Sequence, residues 1–307
     1  MKHYFLPILL GLLLFSSCGS DNEDASPKPQ VVNPDNKPSA GSDAQNSNPQ
    51  WAPELARLEM PHLHQGQNDT VLIHKDKLGE VNYITEWDYK RKTQRWSCYV
   101  LNSSFLETHA QRYDTSVNGY PNDELISATM QWEEDPYYGN NSRYEHGHIC
   151  PSADRLSSST VNFQTFYLTN MQPQFKDFNG GLWARLENQL RVIARKAAQQ
   201  GGTLYICKGG TVDEGTWGGF SKIYHTQPNG LIVPRYFYMA LLREVNGQYT
   251  AMAFWTDQIS ETSYSGTDYS RFAISIDELE KRTGIDFFCN LPGTTETAVE
   301  ATTTNML

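Results

Sequence analysis

The stretch "LIVPRYFYMALLRE" at residues 231–244 runs through the turn-like "VNGQ" into "QYTAMAFWT" at 248–256. Two long aromatic and aliphatic runs joined by so short a connection read as neighbouring strands, and they limit the fold more than any other part of the chain. Further strand-like segments are "TVLIH" (70–74), "EVNYITEWD" (80–88), "RWSCYVLN" (95–102), "TFYLTNMQ" (165–172) and "TLYICKGG" (203–210). Two helices stand out. "LWARLENQLRVIARKAAQQ" begins near Leu182 and places Leu186, Leu190, Ile193 and Ala197 on one apolar stripe. "SIDELEKRTG" pairs Ser275 with Glu278 as a capping box and stops at Gly284. Many strands, few helices and no βαβ rhythm predict an α+β domain built on a mainly antiparallel sheet.

The first half-hundred residues are of another kind. "MKHYFLPILLGLLLFSSC" has a short basic start and an apolar run from Phe5 to Phe15, too short to span a bilayer comfortably and suited to a signal-peptide core. Cys18 directly after "FSS" resembles a bacterial lipobox, which implies cleavage before Cys18 and its lipidation. The acidic "SDNED" that follows is similar to signals for the outer face of the outer membrane. Residues 19 to about 52 are rich in Ser, Asn, Asp and Pro without any period, as in a disordered tether. The expected organisation is therefore a signal peptide at 1–17, a tether at 18–54, one domain at 55–292 and a tail at 293–307. The expected location is exported and anchored to the bacterial outer membrane through Cys18, in the periplasm or facing outward.

A formal net charge of -10 excludes a uniformly basic coat for nucleic acid and leaves a local basic cleft open. Export makes disulfides among Cys98, Cys150, Cys207 and Cys289 an expectation, with three possible pairings. No Cys or His spacing suggests a structural zinc site.

Chemistry concentrates in two stretches. "RYEHGHICPSADR" (143–155) holds His146 and His148 around Gly147. "YLTNMQPQFKDFNGGLWARLENQLR" (167–191) holds Asn170, Asn179, Glu187 and Arg191, spaced by nine, eight and four residues. Together they resemble the DNA/RNA non-specific endonucleases, the ββα-metal (His-Me finger) nucleases with a D-R-G-H signature, over roughly residues 60 to 292. The resemblance implies a Mg²⁺-dependent enzyme, with Mn²⁺ as another ion, that hydrolyses DNA and RNA; a nutritional or scavenging role is the expectation for an exported form.

Phosphodiester hydrolysis needs an activated water, an electrophile at the phosphate and relief of added negative charge. Histidine is the natural base near neutral pH, and the motif gives that role to His148. Mg²⁺ keeps most of its waters, so one side-chain amide, Asn179, can hold it. The resemblance makes Glu187 the residue that positions water on the metal and Arg191 the one that steadies the phosphate. It also places a site asparagine at Asn170 and a phosphate-binding arginine at Arg112. Blander roles stand beside these: Asn179 as a helix cap, Glu187 and Arg191 as an ordinary i,i+4 pair, Asn170 as a backbone partner. If a helix starts near Asn179, eight residues add about 80° beyond two turns and four more add about 40°. Asn179, Glu187 and Arg191 then share one broad face.

The chain departs from the signature at Glu145 and His146, which stand where the family has Asp-Arg. A histidine offers less charge and fewer donors than the arginine it replaces. Either His146 acts when cationic, below about pH 6.5, or another arginine compensates, with Arg143 and Arg155 nearest in sequence. Lys90, Arg91, Lys92 and Arg95 are a possible phosphate track or a solvated hairpin tip. Two other functions remain open: a catalytically weakened lipoprotein that binds nucleic acid or a partner, and a phosphodiesterase for small esters.

Overall fold

The computed structural model describes residues 48–49, 51–137, 143–303 and 306. The signal segment, Cys18 and most of the tether lie outside these residues. The strands are β1 (Asp69–Lys75), β2 (Val81–Asp88), β3 (Thr93–Leu101), β4 (Tyr144–His148), β5 (Met171–Phe175), β6 (Thr203–Gly210), β7 (Thr216–Trp217), β8 (Phe220–Ser221), β9 (Ile223–Thr226), β10 (Ile232–Pro234), β11 (Tyr236–Val245), β12 (Gln248–Asp257) and β13 (Ala273–Ile274). The helices are α1 (Thr115–Asn118), α2 (Ser159–Gln164), α3 (Ala184–Ala198), α4 (Ile276–Thr283) and α5 (Gly293–Glu300). None is long and apolar enough to cross a membrane.

Seven strands form one sheet in the order β1-β2-β3-β6-β11-β12-β13, antiparallel throughout. The β11–β12 hairpin runs in register from Tyr236 opposite Asp257 to Val245 opposite Gln248. Its two-residue turn needs positive φ at both positions, and Asn246 (52°) and Gly247 (74°) accept it. Strand β11 is apolar without alternation because both faces of the sheet are covered. Phe237, Met239 and Leu241 pack with Leu186, Leu190 and Ile193 of α3. Tyr238, Ala240 and Leu242 pack with Ile276 and Leu279 of α4. The run 231–244 breaks at Arg235: β10 pairs with β9, and β11 joins the main sheet.

Strand β4 pairs antiparallel with β5, and the chain then enters α3, so β4, β5 and α3 make the ββα unit. The segment 165–172 is not one strand. A 3-10 turn occupies Leu168–Asn170 and β5 begins only at Met171. The Asn170 side chain donates to the Thr165 carbonyl at 2.8 Å, which folds this stretch back on itself. At the other end, Ser275 caps α4 through the Glu278 N–H at 3.1 Å, and Gly284 closes it in the left-handed region. Glu278 turns to Arg282, so only half of the expected capping box forms.

The globular part extends past both expected edges. Asn48 is buried, donating to the Pro61 carbonyl at 3.0 Å and accepting from the Leu63 N–H at 2.9 Å. Residues 293–300, assigned to the tail, form α5, whose Val299 joins the core beside α4. The four described cysteines are buried free thiols, contrary to the disulfide expectation. Burial pushes the Cys150 thiol up to about 12, which makes it an inert core group.

Candidate active site

The ββα unit and the loops beside it enclose a cleft of about 530 Å³. Arg112, Glu145, His146, His148, Asn179 and Glu187 are among its lining residues. Gly147 is required between the two histidines, since a Cβ there would come within 2.4 Å of the Gln174 side chain, which is fully buried.

His148 ends β4 at the cleft. Its Nε2 is buried without a hydrogen-bond partner among the described residues, so the Nε2 lone pair is available in the neutral tautomer that carries its proton on Nδ1. Burial, followed by the Arg112 and His146 charges, pushes His148 from 6.5 down to about 3. The imidazole is thus neutral, the form a general base requires. Because Arg112 helps depress it, Arg112→Met is expected to shift the acid limb of kcat/KM to higher pH. A pH–rate profile of the two proteins checks this; an unmoved or lowered limb contradicts it.

Asn179 donates from Nδ2 to Glu145 Oε2 at 2.9 Å, and its Oδ1 takes no hydrogen bond among the described residues. Glu187 Oε1 accepts from Lys208 Nζ at 2.6 Å. Burial raises the Glu187 carboxyl above its ordinary value, with Lys208 opposing. Lys208 is completely buried, over the Trp183 ring. An amide oxygen that shares its cleft with two carboxylates suits a hard divalent cation that keeps much of its water. The histidines do not form a zinc pair: His146 Nε2 is held by Asp135 at 2.8 and 3.0 Å.

The site brings together His148, His146, Arg112, Asn179 and Glu187, and leaves two expected members outside. Asn170 is fully buried and spans the Cys150 backbone, accepting from its N–H at 2.9 Å and donating to its carbonyl at 2.8 Å. It positions the residue chain just after His148 and does not reach the cleft. Arg191 donates to Asp154 at 2.6 Å and Asn188 at 2.5 Å and does not line the cleft. Phe178–Trp183 is a π-turn with non-helical Gly181 (φ -103°, ψ -107°), yet Asn179 and Glu187 both reach the cleft, and the expected common face is lost only at Arg191, which turns to Asp154. Regular helix begins only at Ala184.

Neither expected substitute for the signature arginine behaves alike. Arg155 is completely buried and donates to the carbonyls of Asn82, Val100 and Asp154, so it is structural. Arg143 is exposed and lines an adjoining trough of about 610 Å³ with Glu145 and Lys176. His146 is stacked between Tyr120 (3.6 Å) and Tyr137 (4.0 Å), as part of the cleft wall. The run at 90–95 is a tied-down hairpin tip: Arg91 and Arg95 both pair with Asp213, and Lys92 lies over Trp132. Lys208 and Asp135 were missed. A single lysine inside the apolar strand "TLYICKGG" was a readable signal for the first; nothing local marks the second.

The family model for DNA/RNA non-specific endonuclease matches residues 69–294. The chain belongs to the DNA/RNA non-specific endonuclease family. As a member of it, the chain is a nucleic-acid-hydrolysing enzyme. A nuclease of Nostoc sp. is 30% identical over 226 residues, 73% of this chain and 77% of the relative. Mitochondrial endonuclease G of Caenorhabditis elegans is 27% identical over 217 residues, 68% of this chain and 67% of the relative. In fold, the chain is similar to the crystal structure of the EndoG/EndoGI complex, with a TM-score of 0.57 and 21% identity. That likeness covers 73% of this chain and 87% of the other. The DNA/RNA non-specific endonuclease family is divalent-metal dependent, in keeping with the oxygen donors around Asn179.

Proposed function

We propose that this chain is an exported, lipid-anchored endonuclease that uses Mg²⁺ to hydrolyse phosphodiester bonds in both DNA and RNA. The observation that carries the reading is the unpartnered His148 Nε2 in one cleft with Asn179, Glu187 and Arg112. His148 takes the proton of the attacking water at Nε2. Arg112, donating to Ser152 Oγ and lying over the Phe166 ring, holds a fixed positive charge at the phosphate. Asn179, oriented by Glu145, holds the Mg²⁺; Mn²⁺ suits the same oxygens. When bound, the ion stabilises negative charge on the phosphate and leaving oxygen. Glu187, fixed by Lys208, orients water in the cleft. Asn170 and Arg191 act from behind, by holding the backbone and Asp154.

Arg143 and Lys176 in the adjoining trough extend the phosphate track. Contacts of this kind grip backbone rather than base edges, so cleavage is insensitive to sequence and weakens with salt. The test is incubation of supercoiled plasmid and an RNA transcript with Mg²⁺ or with EDTA. Both are expected to be cut with Mg²⁺ and spared with EDTA, and Asn179→Ala should need at least about 10-fold more Mg²⁺. Binding of either nucleic acid without metal-dependent cutting would favour the weakened, binding-only reading instead.

Anchoring rests on the apolar run Phe5–Phe15 and on Cys18 after "FSS". Acylation at Cys18 would hold the enzyme at the bacterial outer membrane, with residues 18 to about 47 as a spacer. Cys18→Ala is expected to move the protein from the detergent-rich to the aqueous phase on partition. A wild-type protein already in the aqueous phase would end the anchoring proposal.

A further inference from the structure

The C-terminal helix α5 meets α4 through apolar contacts at Val299, Ile276 and Leu279. Beside them stands an acidic cluster remote in sequence from the nuclease motif. Asp277 and Glu280 come from α4 and Glu300 from the last position of α5. One carboxylate oxygen from each lies within 4.8 Å of the others. A calcium ion binds oxygens at about 2.3–2.6 Å, so two oxygens on one ion stand at most about 4.6–5.2 Å apart. The three carboxylates stand close to that spacing, so small side-chain movements bring all three onto one ion.

Proximity alone does not make a site, but Glu300 adds a separate observation. It is 6% exposed, and its Oε1 is buried with no hydrogen-bond partner among the described residues. A buried carboxylate oxygen in that state costs free energy unless a proton or a cation meets it. Glu280 Oε1 accepts from the Phe287 N–H at 2.9 Å. No lysine, arginine or histidine pairs with Asp277, Glu280 or Glu300 among the described residues. The charges acting most on Glu300 are all carboxylates: Glu280, Glu296, Asp286 and Asp277. Burial, then these neighbours, pushes Glu300 up to about 10 and Glu280 up to about 8. The fold thus gathers these carboxyl groups and, among the described residues, pairs no cationic side chain with the three.

We propose that Asp277, Glu280 and Glu300 form a calcium-class divalent-cation site that pins helix α5 to helix α4. The donors are all hard oxygens, which select Ca²⁺ or a similar ion over zinc or copper. Three carboxylates on one ion favour Ca²⁺ over Mg²⁺, which gives up its waters reluctantly. The site is structural, and it is separate from the metal held by Asn179.

Thermal unfolding of the full chain tests this, with Mg²⁺ present throughout and either Ca²⁺ or EGTA added. Ca²⁺ at about 100 times its dissociation constant is expected to raise the Tm of the wild type by about 5 °C over EGTA. Asn179→Ala should keep that rise. Glu300→Gln should lose it. Asp277→Asn, at the partly exposed rim, should reduce it without disturbing the buried packing. No rise in the wild type would mean that the carboxyls hold protons instead. A rise that survives both carboxylate substitutions, or one lost in Asn179→Ala, would place the calcium elsewhere. Each of these three results overturns the proposal.

Discussion

His148→Ala is expected to lower metal-dependent cleavage of DNA and RNA about 10³-fold, the usual scale for loss of a positioned general base. The fold should hardly change. His148 Nε2 has no partner to lose. Nucleic-acid binding should persist, because Arg112, Arg143 and Lys176 remain. The pattern to measure is therefore a fall in kcat with KM nearly unchanged. A matching fall in Tm would assign His148 a structural task, and cleavage near the wild-type rate would remove it from the mechanism.

Asn170→Ala should damage the enzyme by a different route. The Asn170 side chain satisfies the Cys150 N–H, the Cys150 carbonyl and the Thr165 carbonyl, all in the interior. Truncation leaves three buried polar groups short of a partner, each costing roughly 1–3 kcal/mol. A loss of about 3 kcal/mol or more is expected, visible as a Tm lower by about 6–12 °C. Activity should fall as well, since the same backbone fixes the end of β4 and hence His148. The acid limb of kcat/KM should change with it, because the burial that depresses His148 depends on that backbone. Unaltered stability together with lost phosphate binding would restore Asn170 to the cleft as a direct contact.

The contrast between these two residues explains what was legible in the sequence. His148, Asn179 and Glu187 were readable because β4 and the start of α3 carry them in short stretches with a fixed spacing. Asn170 and Arg191 looked equivalent in that spacing, yet their partners, Cys150 and Asp154, decide where the side chains end. Those contacts are tertiary and leave no local pattern. Asn179 lies in the π-turn before the regular helix, which a uniform 3.6-residue period does not foresee, and Arg191 leaves the expected common face because Asp154 draws it aside. The antiparallel sheet was readable from strands such as "TLYICKGG". Helix α5 was not, since "GTTETAVE" has only one large apolar residue to mark its buried side.

His146 shows the limit of reading a replaced motif residue by charge alone. The sequence suggested a titrating substitute for an arginine. In the fold its ring lies between Tyr120 and Tyr137 and its Nε2 meets Asp135, so it shapes the cleft wall beside Glu145. Arg112 is the arginine among the residues that line the cleft.

The central claim is that the free Nε2 of His148 is the base. Its most direct test is rescue of His148→Gly, at saturating Mg²⁺, by imidazole added to the assay. The substitution leaves a space open to the cleft, and neutral imidazole should restore cleavage in proportion to its concentration. Cleavage by His148→Gly that is already near the wild-type rate, or that stays absent at every imidazole concentration while substrate still binds, would contradict it.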